Sequence, residues 1–61
     1  MTVIYYDLEK SEHITINDVV KVEETISEDD ILVTYFERTE FQTLKKCRKV
    51  LEKNTVTSIN I

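Results

Sequence analysis

The chain has 61 residues, a formal net charge of −4 at neutral pH, and neither glycine nor proline. Its length allows one domain, residues 1–61, near the lower limit at which a single core stabilises a fold alone. The lack of glycine excludes phosphate-binding loops and nucleophile elbows, whose tight backbone turns depend on that residue.

The N-terminal segment is predicted to be a strand. Residues 2–8 are rich in β-branched and aromatic side chains, and a polar turn follows over residues 9–12. Tyr5 and Tyr6 are adjacent in this strand and therefore point to opposite faces. We expect one of the two rings to lie in the core and the other to be exposed or covered by a partner.

The next two apolar runs, residues 13–16 and 19–23, alternate apolar and polar side chains and are separated by Asn17-Asp18. They form either one long strand with a bulge or two short strands that meet in a turn. A single bent strand is favoured, because Ile16 and Val20 share one parity.

An acidic turn over residues 27–30 then leads into residues 31–36, which have apolar groups on both faces. That pattern is typical of a central strand covered on two sides.

The clearest periodic signal lies over residues 39–53 and predicts an amphipathic helix. Thr39 and Gln42 have the spacing of a capping box, in which two side chains bind free backbone amides of the first turn. Asn54 suits the left-handed conformation that ends a helix. One apolar stripe recurs at three- and four-residue steps: Phe41, Leu44, Cys47, Val50 and Leu51.

The predicted fold class is α+β, in the order β-β-β-α-β. It consists of a small antiparallel meander, the amphipathic helix packed across it, and a C-terminal strand over residues 55–61 with Ile59 and Ile61 inward. Because a helix makes the crossover, the last strand is expected to run parallel to the first. The alternative is a small all-β SH3-like barrel in which residues 41–53 are strands.

The charges are unevenly distributed along the chain. Residues 1–37 contain ten acidic and two basic side chains, whereas residues 38–61 contain six basic and two acidic ones. The acidic half predicts a protein partner with a basic surface, because complementary charge speeds association. The net negative charge argues against nucleic acid as a partner. The candidate protein-binding residues are Glu23, Glu24, Glu28, Asp29, Asp30 and Tyr6.

No residue is assigned a catalytic, cofactor-binding or metal-binding role. Cys47 is predicted to be a buried structural thiol, because no base lies near it in sequence. His13 follows a polar turn and is expected to be exposed. Since each is the only residue of its type, the chain forms no internal disulfide and no zinc site of Cys and His ligands. The sequence therefore predicts a protein that is not an enzyme.

The expected setting is the cytoplasm. No apolar run approaches the roughly 20 residues that span a bilayer, and no basic-then-apolar start indicates a signal peptide. We therefore expect no membrane partner. Because disulfides and metals do not add stability here, association into a homo-oligomer is one expected way to add it.

The chain as a whole resembles the short accessory proteins of phages of low-GC Gram-positive bacteria, in its minimal length, its acidity and its many Lys, Glu, Ile and Thr residues. The resemblance implies a host-interaction role, such as inhibition of a host or defence enzyme. The leading hypothesis is a small, acidic, non-enzymatic protein-binding module. Two alternatives stay open: a self-assembling structural or ligand-sequestering oligomer, and a nucleic-acid-binding accessory protein that uses the basic helix.

Overall fold

The computed structural model describes residues 1–61 and contains six strands and no α-helix. The predicted α+β class is therefore wrong, and the protein is nearly all-β, the class assumed by the SH3-like alternative. A short 3₁₀ turn, Lys53–Thr55, precedes the last strand. The strands are β1 (Thr2–Asp7), β2 (Glu12–Ile16), β3 (Val19–Glu24), β4 (Asp30–Arg38), β5 (Leu44–Glu52) and β6 (Val56–Asn60).

The six strands form two antiparallel sheets of three strands each. The first sheet has the order β2-β1-β6, and the second has the order β3-β4-β5. The chain passes from the first sheet to the second at Asn17-Asp18, where Asp18 has a φ of 55°. Strands β2 and β3 are thus two separate strands, each in its own sheet, and the single bent strand predicted over these residues is wrong. Val19 is buried and Val20 is 54% exposed, so the shared parity predicted for Ile16 and Val20 is wrong.

Residues 44–52 form strand β5 rather than the predicted helix. All nine residues of β5 pair in register with β4, from Arg38↔Leu44 to Asp30↔Glu52. A helix here would have left one side of β4 without backbone partners, and buried backbone groups need such partners. The predicted apolar stripe does not exist as a buried face, since Phe41, Leu44 and Val50 are exposed.

Thr39 organises the turn between β4 and β5 and does not cap a helix. Its Oγ1 accepts hydrogen bonds from the amides of Phe41 and Thr43, at 3.2 and 3.3 Å. The Thr39 amide donates to the Thr43 carbonyl at 2.8 Å, which closes the turn. Gln42 takes the left-handed conformation, with a φ of 62°, that glycine would otherwise supply. The capping-box spacing of Thr39 and Gln42 therefore reflects a hairpin turn.

The core lies between the two sheets and is small, with only eight buried residues in 61. Strands β1 and β4 are each central in their sheets, and the two most deeply buried side chains, Val3 and Val33, come from them. Because so few side chains are shielded from water, each buried one contributes a large share of the stability. The apolar core residues are Val3, Tyr5, Ile16, Val19, Ile31, Val33 and Leu51.

Strand β6 lies beside β1, as predicted, but runs antiparallel to it, with Thr2 opposite Asn60 and Val3 opposite Ile59. The predicted parallel direction assumed a helical crossover, and β5 replaces that helix. The predicted inward placement of Ile59 and Ile61 is also wrong, because both side chains are exposed.

Candidate protein-binding surface

The turn between β3 and β4 gathers acidic side chains at one end of the second sheet. We call this region the acidic tip and define it as residues 24–30 together with Glu52, the last residue of β5. Asp29, Asp30 and Glu52 line one depression beside Lys53. The tip therefore carries five carboxylates, and Lys53 is the basic side chain beside them.

Local hydrogen bonds hold the acidic tip in one shape. Thr25 Oγ1 donates to the Ser27 carbonyl at 2.9 Å and accepts from the Ser27 amide at 3.2 Å. The Asp30 amide donates to the Ser27 carbonyl at 3.3 Å, and the Lys53 amide donates to the Asp29 carbonyl at 2.8 Å. Short polar side chains commonly replace backbone partners in such turns. These bonds join the tip to the 3₁₀ turn without any glycine.

The carboxylates of the acidic tip are only partly neutralised. Asp30 and Glu52 stand directly opposite each other on neighbouring strands, an arrangement of like charges that destabilises a sheet. Glu24 lies 3.7 Å from Lys53 Nζ and is largely exposed, so this ion pair is worth little in water. The tip thus retains a concentrated negative charge.

An exposed isoleucine lies in this acidic turn, two residues from Glu24 and two from Glu28. Ile26 has a relative exposure of 105%, so its whole side chain projects into solvent from the hydrogen-bonded turn. Sequence reasoning missed it, because a single apolar residue between polar ones carries no periodic signal. An exposed apolar side chain surrounded by charged groups has the composition of a protein-docking contact, with an apolar centre and a polar rim.

The structure brings four of the six predicted binding residues together and separates the other two. Glu24, Glu28, Asp29 and Asp30 share the acidic tip. Glu23 lies one residue earlier on β3, in register with Leu32, and forms an ion pair with Lys21 at 3.3 Å.

Tyr6 lies on the outer face of the first sheet. Its ring packs edge-to-face against the exposed His13, with 5.1 Å between the ring centroids. Tyr5 points the other way, into the core. The prediction that the two rings lie on opposite faces is therefore confirmed. Tyr6 is therefore not part of the acidic tip.

The basic residues predicted to share a helix are divided between the two faces of β5. Lys46 and Arg48 lie on the outer face, opposite Phe36 and Thr34 of β4. Lys45 and Lys49 point to the other side, where Lys45 stands opposite Glu37. A basic helix is absent, so the nucleic-acid hypothesis loses the element on which it depended.

Comparisons with family models, curated proteins and solved structures find no match to this chain.

None of the elements of the structure is a membrane-spanning apolar helix. The structure also brings together no group of three metal-binding side chains in the geometry of a metal site.

A second cluster lies where β1 faces the second sheet. Lys49 Nζ sits 5.5 Å from the centroid of the Tyr5 ring, within cation–π range. A hydrogen-bonding interaction with Tyr5 raises the pKa of Lys49, since it stabilises the protonated amine. Partial burial raises the pKa of Tyr35, and the negative charges of Glu37 and Cys47 add to that effect. Cys47 is half-buried rather than fully buried, and its Sγ lies 3.7 Å from Glu37 Oε2.

These two shifts predict an alkaline loss of stability. Tyr35 and Lys49 both hold their protons more tightly in the folded state, so the unfolded chain releases protons first as the pH rises above about 10. Stability is therefore full below that pH and falls as the pH passes through the raised pKa values. We expect the urea midpoint of unfolding to fall between about pH 8 and pH 11. It should fall less steeply with pH in Tyr35→Phe than in the wild type. An equally steep loss in both proteins would show that Tyr35 does not contribute.

Proposed function

We propose that this chain is a non-enzymatic protein-binding module that docks its acidic tip on a basic surface of a larger protein. The observation that carries the proposal is Ile26, fully exposed at the centre of the acidic turn. A purely electrostatic surface has no need of an exposed isoleucine, whereas a protein contact buries an apolar centre and leaves a charged rim. The resemblance to phage accessory proteins extends the proposal to inhibition of a host or defence enzyme.

The shape of the tip supports the same role. Its hydrogen bonds, and the backbone bond from Lys53 to Asp29, restrict the turn before any partner arrives. A preorganised turn loses little conformational entropy on binding, which favours affinity. The five carboxylates steer it toward a basic surface over a distance set by ionic strength.

The test compares two exposed apolar side chains on different turns. Ile26→Ser should weaken binding to the partner about tenfold, because it removes the apolar centre of the contact. Leu8→Ser is the matched control, since Leu8 is 71% exposed on the turn between β1 and β2. The partner is first captured from a lysate of the organism that carries the gene, and its affinity for each variant is then measured by biolayer interferometry.

The charges of the tip are tested in the same assay. Glu28→Gln combined with Asp29→Asn should slow association severalfold and flatten its dependence on salt, with little change in dissociation. If Ile26→Ser binds as tightly as the wild type, or if Leu8→Ser loses as much affinity, the tip is not the docking site. Equal affinity of every variant for all captured proteins would reject the proposal as a whole.

A further inference from the structure

Strand β5 presents a long free edge. Its nine residues pair with β4 on one side, and it ends the sheet order β3-β4-β5, so no strand pairs with its other side. The other edge strands, β2, β3 and β6, have only five or six residues each. An unpaired edge offers a row of backbone donors and acceptors to an added strand. Residues 49–52 line a depression together with Tyr5, Tyr6 and Asp7 of β1, so residues 44–48 are the part of the edge that lies clear of the first sheet.

The free edge is strongly basic. Residues 44–48 contain three cations, Lys45, Lys46 and Arg48, and no acid. Lys46 and Arg48 point to the outer face, whereas Lys45 points to the other face and stands opposite Glu37, so an added strand meets uncompensated positive charge on the outer face. Antiparallel pairing with β5 of a second copy would place these cations near one another, and like charges across strands are destabilising. The edge is therefore unsuited to self-association.

An apolar depression adjoins the start of this edge. It is lined by Val20, Phe36 and Leu44, with Arg38 and Met1 beside them. Leu44 is 62% exposed and is the first residue of β5. A strand added along residues 44–48 would therefore place an apolar side chain near this depression and acidic ones near Lys46 and Arg48. Nucleic acid fits less well, because Tyr35 and Phe36, the aromatic side chains of β4 opposite residues 44–48, are both half-buried.

We propose that an extended acidic peptide segment of a partner protein adds to the second sheet along residues 44–48 of β5. Backbone hydrogen bonds supply the general affinity of such strand addition, and side-chain pairs supply the specificity. The segment carries Asp or Glu at the positions that face Lys46 and Arg48, and an apolar residue near Leu44. This surface is separate from the acidic tip, and its partner has the opposite charge.

The experiment uses the full chain and a labelled, capped peptide of about eight residues that alternates glutamate and valine. Leucine replaces the glutamate at one end, so that one face of the peptide carries leucine to meet Leu44 and glutamates to meet Lys46 and Arg48. Binding is followed by fluorescence anisotropy at low and moderate salt. A twin peptide has two central valines replaced by proline, which keeps the charge and removes the amide donors and the extended pairing. The twin should bind at least about tenfold more weakly than the parent peptide if strand addition carries the affinity.

Charge-reversed variants locate the site. Lys46→Glu combined with Arg48→Glu should weaken binding of the parent peptide about tenfold. The matched control, Lys10→Glu combined with Lys21→Glu, changes the net charge equally at the turn after β1 and on β3, at the opposite edge of the second sheet from β5, and should bind within about twofold of the wild type at the same ionic strength. If circular dichroism shows that the double glutamate variant is unfolded, Lys46→Gln combined with Arg48→Gln replaces it. This second variant should bind the parent peptide severalfold more weakly than the wild type.

Four results would overturn the proposal. No binding of the parent peptide to the wild type rejects the edge as a peptide site. Equal binding of the proline twin shows attraction by charge without strand addition. Equal losses in the two charge-reversed variants show that net charge alone acts. Tighter binding of an oligothymidine of about ten nucleotides assigns the surface to single-stranded nucleic acid instead. None of these results bears on Ile26, so the acidic tip is judged separately.

Discussion

Replacing Leu51 by alanine is expected to lower the free energy of unfolding by about 2–4 kcal/mol. Leu51 is 5% exposed and is the buried apolar residue that β5 supplies to the core. Removing its side chain leaves a cavity in a core of very few residues, and the loss is comparable to the whole stability of so small a domain. Urea unfolding followed by circular dichroism measures the effect.

Two neighbours on the same strand provide the controls. Val50 and Leu44 are 59% and 62% exposed on the outer face of β5, so Val50→Ala and Leu44→Ala should each change stability by less than about 0.5 kcal/mol. The helical interpretation of this segment makes the opposite prediction for Leu44, which it places on the buried stripe. A loss in Leu44→Ala as large as that in Leu51→Ala would therefore support the helix.

Replacing Tyr5 by alanine is expected to lower the free energy of unfolding by about 3–5 kcal/mol. The Tyr5 ring is 5% exposed on the central strand β1, and the Lys49 amine lies over the ring at 5.5 Å from its centroid. The substitution removes a large apolar surface from the core and also the partner that holds Lys49. Thermal and urea unfolding at neutral pH give the loss.

The Tyr5→Phe variant separates the ring from its hydroxyl. It keeps the buried ring and the cation–π contact with Lys49 and removes the hydrogen-bonding group, so its loss should stay within about 1.5 kcal/mol. If Tyr5→Phe is as unstable as Tyr5→Ala, the hydroxyl rather than the packing of the ring determines stability at this position.

Local sequence pattern predicted strands at β1 and β4, wrongly joined β2 and β3 into one strand, and failed at β5. Residues 2–7 and 30–38 are rich in β-branched and aromatic side chains, so their local preference agrees with their final place in the sheets. In β5 the spacing of Leu44, Cys47 and Leu51 fits a helix equally well. The structure there is decided by the second side of β4, whose backbone groups require hydrogen-bonding partners. The periodicity of the sequence does not show this requirement.

The candidate site shows the same division between local and long-range information. Glu28, Asp29 and Asp30 are adjacent in sequence, so an acidic turn followed from composition alone. Glu52 joins them only because the register of β4 with β5 places it opposite Asp30. Ile26 has no periodic neighbours, and its complete exposure is visible only in the folded turn. The sequence predicts Tyr6 as a binding residue because tyrosine is common in protein contacts, whereas the structure places it on the first sheet, against His13.

The pairing of β1 with β6 has a consequence for the order in which the protein folds during synthesis. The second sheet is built from consecutive hairpins, so β3, β4 and β5 can pair as soon as they leave the ribosome. Strand β1 emerges first, yet its second neighbour, β6, emerges after every other strand. Until then one side of β1 is open, and the nascent chain carries an unpaired strand that is prone to bind other chains. Closure of the first sheet is therefore expected to be the last step, and mutations in β6 should act chiefly on the unfolding rate.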